Sequence, residues 1–196
     1  MASHDRPPTH AQLTARRWGY RPWVMTAAMA LLLWAGLLYY HLVRRNIWNP
    51  FLPHDQDIAA LGSKCLGLAA VLLVGLLLLW EPLARRRRAG AGWPAYRRPF
   101  GTVAFGLMVL HALTSLLRTS GDWLLAHWPS ILVGALALLA FGIIASHALL
   151  HGGARWREAI RRLVYPAFGL AVLHYLLFGK IGDWITWSRT LEPPLP

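Results

Sequence analysis

Acidic residues are scarce in this chain: 8 Asp and Glu stand against 20 Lys and Arg in 196 residues. No carboxylate falls inside the long apolar blocks, so the intramembrane acids that a proton pump or proton-coupled transporter needs are missing. Cysteine is scarcer still. Cys65 alone excludes an internal disulfide and any multi-cysteine zinc or iron–sulfur site, which leaves it a packing role at the start of an apolar block. A Gly-rich phosphate loop, Gly-x-Ser-x-Gly and His-Glu-x-x-His are all absent. Charged residues make up only 14% of the chain, too few for an ordinary soluble domain of this size.

What is present is apolar sequence in long blocks, 56% of residues overall. Blocks near 20 residues match a hydrocarbon layer roughly 30 Å thick. The expected fold is all-α: a polytopic membrane helical bundle with five transmembrane helices. The spans fall at about 23–43, 58–80, 99–117, 129–150 and 163–178. Residues 1–20 form a polar tail, 21–182 the membrane domain, and 183–196 an interfacial tail with Trp184 and Trp187 at its start. The first block is too long for a signal-peptide core and is expected to be a retained anchor. Glu81-Pro82 is expected to stop the second span, and residues 118–128 to form a short polar loop. Trp18, Trp23, Trp48, Trp80, Trp93, Trp123 and Trp128 sit near span ends, where an aromatic belt belongs.

The net charge of +12 would suggest nucleic acid in a soluble protein, but here the arginines flank apolar spans. Orientation and contact with anionic lipid account for them, and no nucleic-acid partner is expected. The N-terminal tail and the segments 81–98 and 151–162 carry 4, 6 and 4 basic residues, and the rest of the chain carries 6. On alternating sides of five spans, that bias places the N-terminus inside and the C-terminus outside.

One stretch occurs twice. Ala-Phe-Gly-Leu-Met-Val-Leu-His runs from Ala104 to His111, and Ala-Phe-Gly-Leu-Ala-Val-Leu-His from Ala167 to His174. Seven of eight positions are identical, 63 residues apart. A histidine in lipid is costly unless partnered. His111 lies 13 residues past Arg98 and His174 lies 12 past Arg162, roughly 20 and 18 Å of helix rise respectively. Both spans run in the same direction, so the two imidazoles reach one depth in the outer half of the membrane. Two axial ligands of one haem iron require that arrangement. Gly106 and Gly169, five residues before each histidine, would let a flat macrocycle approach the backbone. The plainer reading has glycines for helix packing and histidines bonded to neighbouring helices. The repetition and the equal depth favour a shared haem.

The other histidines are less informative. His147 and His151 share one helix face near the inner end, close to Arg155 and Arg157. They could form a metal pair, a basic patch for a quinone, a flavin phosphate or lipid headgroups, or an interfacial pair without chemistry. His41 lies at the outer end of the first span and His127 in an outer loop. His54 with Asp55 and Asp57 could make an outer docking or ion patch.

Several stretches together resemble the ferric-reductase-like transmembrane superfamily. They are Asp57-Ile58 leading to Gly62, Tyr96-Arg97-Arg98 with Gly101, Leu110-His111, Trp156, Leu163-Val164-Tyr165, Leu173-His174-Tyr175 and Lys180. Within that superfamily the chain is most similar to the MsrQ group, the haem-binding membrane subunits of bacterial periplasmic methionine sulfoxide reductase systems. The resemblance covers about residues 55–182. It implies haem b, with His111 and His174 as the iron's axial ligands, and a bacterial inner-membrane location. It also implies electrons drawn from quinone or from a flavin reductase carrying FMN, and passed to a periplasmic-side acceptor or partner subunit.

Members with two haems carry a second histidine thirteen residues before each of these. Here those positions are Arg98 and Arg161, so one haem is expected. The sixth span of the nearest members and any flavin or nicotinamide domain are missing from this sequence. A lone outer haem leaves roughly 20 Å to the inner side on the same helix rise. The alternative from another class is a non-redox structural or assembly subunit of a larger membrane complex. A small transporter fits less well, since broken helices and charged pairs are lacking.

Overall fold

A computed structural model of the protein describes residues 19–43, 58–86, 94–150 and 154–180. Among them the regular structure is entirely helical. In chain order the helices are α1 (Arg21–Val43), α2 (Ile58–Arg86), α3 (Pro94–Leu116), α4 (Gly121–Ala126), α5 (Trp128–Leu150) and α6 (Ala154–Tyr175). A π-helical turn, Leu176–Lys180, continues α6. Segments Arg21–Val43, Ile58–Trp80, Tyr96–Leu116 and Trp128–Ser146 are long and apolar enough to cross a membrane, and Arg162–Phe178 is a shorter apolar helix. This is a multi-pass helical membrane protein.

The boundaries follow local chemistry, with some departures from expectation. Proline stands in the first turn of α1 (Pro22), α3 (Pro94) and α5 (Pro129), where its missing N–H costs nothing. The second span closes at Trp80, as expected, but Pro82 does not stop the helix, and α2 continues to Arg86. Pro99 and Pro166 likewise lie within α3 and α6. Each proline forgoes one i→i−4 hydrogen bond, which a helix tolerates when its neighbours hold it in place. α3 and α6 consequently begin earlier than the apolar blocks do, because the basic stretches join the helices. Residues 118–128 are not a plain loop. They contain α4, capped by Ser120, whose hydroxyl accepts from the Trp123 amide at 3.4 Å, with Asp122 in the first turn.

The helices pair as two antiparallel hairpins, α2–α3 and α5–α6. α3 also packs on α5, and α2 on α6, which closes a four-helix ring. α3 and α6 make no extended contact, so they stand diagonally across it. Neighbours in a bundle lie roughly 8–10 Å apart, which puts diagonal partners roughly 11–14 Å apart. α1 lies outside the ring along α2 and α3, tied by Trp34 Nε1 donating to the Gly62 carbonyl (3.1 Å) and Tyr96 Oη to Met25 Sδ (3.2 Å).

The hairpins are copies of one plan. Residues of α2 recur in α5 at an offset of 67, and residues of α3 recur in α6 at an offset of 63. Ala70 and Ala137 are both buried, as are Val74 and Phe141, and Ala104 and Ala167. Phe105 of α3 lies on Gly142 of α5, a Cβ there standing 3.5 Å from the ring; Phe168 of α6 lies on Gly75 of α2 at 3.7 Å. The repeated phenylalanine thus joins one hairpin to the other in both directions. The core of Leu73, Val74, Phe100, Ala104, Phe141 and Ala167 fills the half of the bundle away from α4.

Candidate functional site

The two repeated histidines sit at the α4 end of the bundle, where α2 and α5 begin and α3 and α6 finish. Each is held by the helix before it. His111 Nδ1 lies 2.8 Å from the Ser63 carbonyl oxygen on α2. His174 Nδ1 lies 2.7 Å from the Ser130 carbonyl oxygen on α5. A carbonyl can only accept, so Nδ1 carries a proton in both rings, which leaves Nε2 as the nitrogen available to a ligand. Neither Nε2 has a hydrogen-bond partner among the described residues.

Glycine makes these bonds possible. Gly67 and Gly134 each follow the accepting serine by four residues. In a helix the Cβ of residue i+4 leans back over the carbonyl of residue i, where it would block a side chain reaching that oxygen. A Cβ on Gly67 would meet the His111 ring at 3.1 Å, and one on Gly134 would stand 2.6 Å from His174 Nδ1. Ser-x-x-x-Gly is therefore a seat for an imidazole, and it occurs once in each hairpin.

The two imidazoles come from diagonal helices at the α4 end of the bundle. Their surroundings differ. Around His111 the Ser63 hydroxyl lies 2.8 Å from Thr114 Oγ1, 2.9 Å from Ser115 Oγ and 3.2 Å from His111 Nδ1. His174 instead meets the edge of Phe178, ring centroids 4.8 Å apart. Phe178 stacks on Trp123 (5.5 Å), and Trp123 stacks on His127 (4.2 Å), the residue that ends α4.

Of the residues expected from sequence, His111 and His174 are brought to one end of one bundle. Gly106 and Gly169 are exposed, with nothing within 4 Å of where a Cβ would stand. Five residues at 100° put each about 140° around the helix from its histidine. They touch neither imidazole; Gly67 and Gly134 do. The His147 side chain, His151, His54, Asp55 and Asp57 lie outside the described residues, as do Trp184 and Trp187. Arg98, in place of a second ligand, is exposed, and the Arg161 side chain is not described. Cys65 is fully buried, as a packing role requires. Among the described residues no three His, Cys, Asp or Glu side chains gather as a metal site. An apolar groove of about 660 Å³ between α3 and α5, lined by Phe105, Val109, Leu138 and Gly142, does not include the histidines.

Sequence reasoning missed Ser63, Gly67, Ser130 and Gly134, and treated His127 as an isolated loop residue. The findable signal was Ser-x-x-x-Gly recurring 67 residues apart near the start of the second and fourth spans. The chain matches no protein-family model and no solved structure.

Proposed function

We propose that this chain is a haem b-binding membrane subunit that relays electrons. His111 and His174 would hold its iron, each through Nε2. The observation that carries this reading is the matched pair of seats. Two imidazoles on diagonal helices each have Nδ1 tied to a serine carbonyl, with Nε2 meeting no hydrogen-bond partner among the described residues. A second-layer bond of that kind fixes the tautomer and the ring orientation and raises the basicity of the ligating nitrogen. The residues therefore fit the group. A bound haem would supply a one-electron couple whose potential depends on axial ligand, burial and nearby hydrogen bonds. The protein's own part is to orient the two rings and to exclude water with the helices around them.

One haem fits better than two. The half of the bundle away from α4 is filled by Leu73, Val74, Phe100 and Phe141. The arrangement further proposed is five spans, the fifth being Arg162–Phe178, with the N-terminus inside and the C-terminus outside in a bacterial inner membrane. The α4 end then faces the periplasm, and donor electrons come from quinone or from a flavin reductase through a partner subunit.

A reduced-minus-oxidised spectrum of the purified protein tests the reading. A b-type band is expected. His111→Ala and His174→Ala each abolish it, and His147→Ala leaves it. A folded protein that takes up no haem overturns the proposal and leaves the structural-subunit alternative.

A further inference from the structure

The two half-sites repeat one design up to the histidine and part company one turn after it. Four residues past His111 stands Ser115, and four residues past His174 stands Phe178. Ser115 closes the first half-site with hydroxyls, together with Ser63 and Thr114. Among the described residues no aromatic ring contacts His111. Phe178 opens the second half-site onto a run of rings. It lies edge-on to His174 at 4.8 Å and parallel to Trp123 at 5.5 Å, with an interplanar angle of 11°. His127 extends the stack, 4.2 Å from Trp123 and 6.0 Å from Phe178. Its orientation is fixed by Nδ1 donating to the Trp123 carbonyl at 3.0 Å. Trp123 is 39% exposed, so the run starts at a half-buried ligand and ends at the surface.

We infer that Phe178, Trp123 and His127 form the exit through which electrons leave the His174 side of the site for an acceptor at the α4 end. The inference rests on the haem reading above. Electron tunnelling is favoured by continuous contact and weakened by gaps, and every step of this run is a contact between rings. The His111 side offers saturated hydroxyl side chains instead. The reaction is a single electron transfer. One electron passes from the reduced site to a one-electron acceptor, which is reduced by one; no covalent bond forms or breaks and no proton is required. The three rings form no covalent bond with one another or with His174. They act by position.

The test uses the full-length protein in lipid nanodiscs, reduced with dithionite and mixed with ferricyanide in a stopped flow. Phe178→Ser copies into the second half-site the residue that the first one carries. Trp123→Leu breaks the run at a ring that does not touch His174. Both are expected to keep the b-type band and the midpoint potential while oxidation slows several-fold. Trp128→Leu, which removes an exposed tryptophan outside the stack, keeps the wild-type rate. Wild-type rates in Trp123→Leu with haem retained overturn the inference and leave the haem reading intact. Should Phe178→Ser lose haem, Trp123→Leu decides alone. Wild-type protein without haem removes the reading and the exit together.

Discussion

Gly134 and His174 are so close that the glycine cannot be anything larger: a Cβ on it would stand 2.6 Å from the imidazole Nδ1 and 2.7 Å from Cε1. Those atoms belong to a ring held at its other contact by the Ser130 carbonyl, so the ring cannot simply swing aside. Gly134→Ala is expected to break that bond or displace α5, costing about 1–3 kcal/mol by overpacking. Haem content of the purified variant should fall sharply. Gly67→Ala meets His111 at 3.1 Å and should lose less. Equal haem content in the two variants would contradict this ordering.

Gly106→Ala and Gly169→Ala should leave both the fold and the b-type band unchanged. A methyl group there meets nothing within 4 Å and lies on the face turned away from the histidine. Haem loss without unfolding would instead place the macrocycle against that face.

Between the hairpins, Gly75 and Gly142 leave ordinary contact distance to Phe168 and Phe105, 3.7 and 3.5 Å from a Cβ. Alanine is therefore expected to be tolerated at both, and leucine is not. Thermal unfolding in detergent should show Gly142→Leu well below Gly142→Ala.

Ser63→Ala removes a hydroxyl that joins Thr114 and Ser115 at 2.8 and 2.9 Å but keeps the carbonyl that holds His111. A loss near 1 kcal/mol is expected, the usual net worth of such bonds, with haem retained. Ser130→Ala, whose hydroxyl among the described residues has contacts of 3.3 and 3.5 Å to His174 alone, should cost less in the same unfolding experiment.

Cys65 is fully buried. A maleimide should leave the folded protein unlabelled and react once the protein is denatured, since thiol reactivity needs access.

The membrane class and the two histidines were legible in the sequence because their signals are long or repeated. Runs of Leu, Ala and Val mark spans by composition alone. The eight-residue repeat around His111 and His174 survives nearly intact. The seats were harder to see. Each consists of two small residues in an apolar helix, and only the serine's backbone makes the decisive bond. Their repeat also runs out of phase with that of the histidines. Ser63 and His111 are 48 residues apart, and Ser130 and His174 are 44 apart, so a single offset aligns one helix of the hairpin and misaligns the other. Span and helix part company where basic residues follow the apolar block: the second span closes at Trp80, as expected, while its helix runs on to Arg86, because charge ends a span without ending a helix.

The doubled hairpin has a genetic consequence. Were the two halves separate copies of one chain, every substitution would appear at both ends of the site, since a two-fold interface repeats each residue. Joined in one polypeptide, each half changes alone. Ser115 and Phe178 stand at the same place in the two halves and surround their histidines with opposite chemistry. Covalent fusion is what allows a two-fold scaffold to have a front and a back.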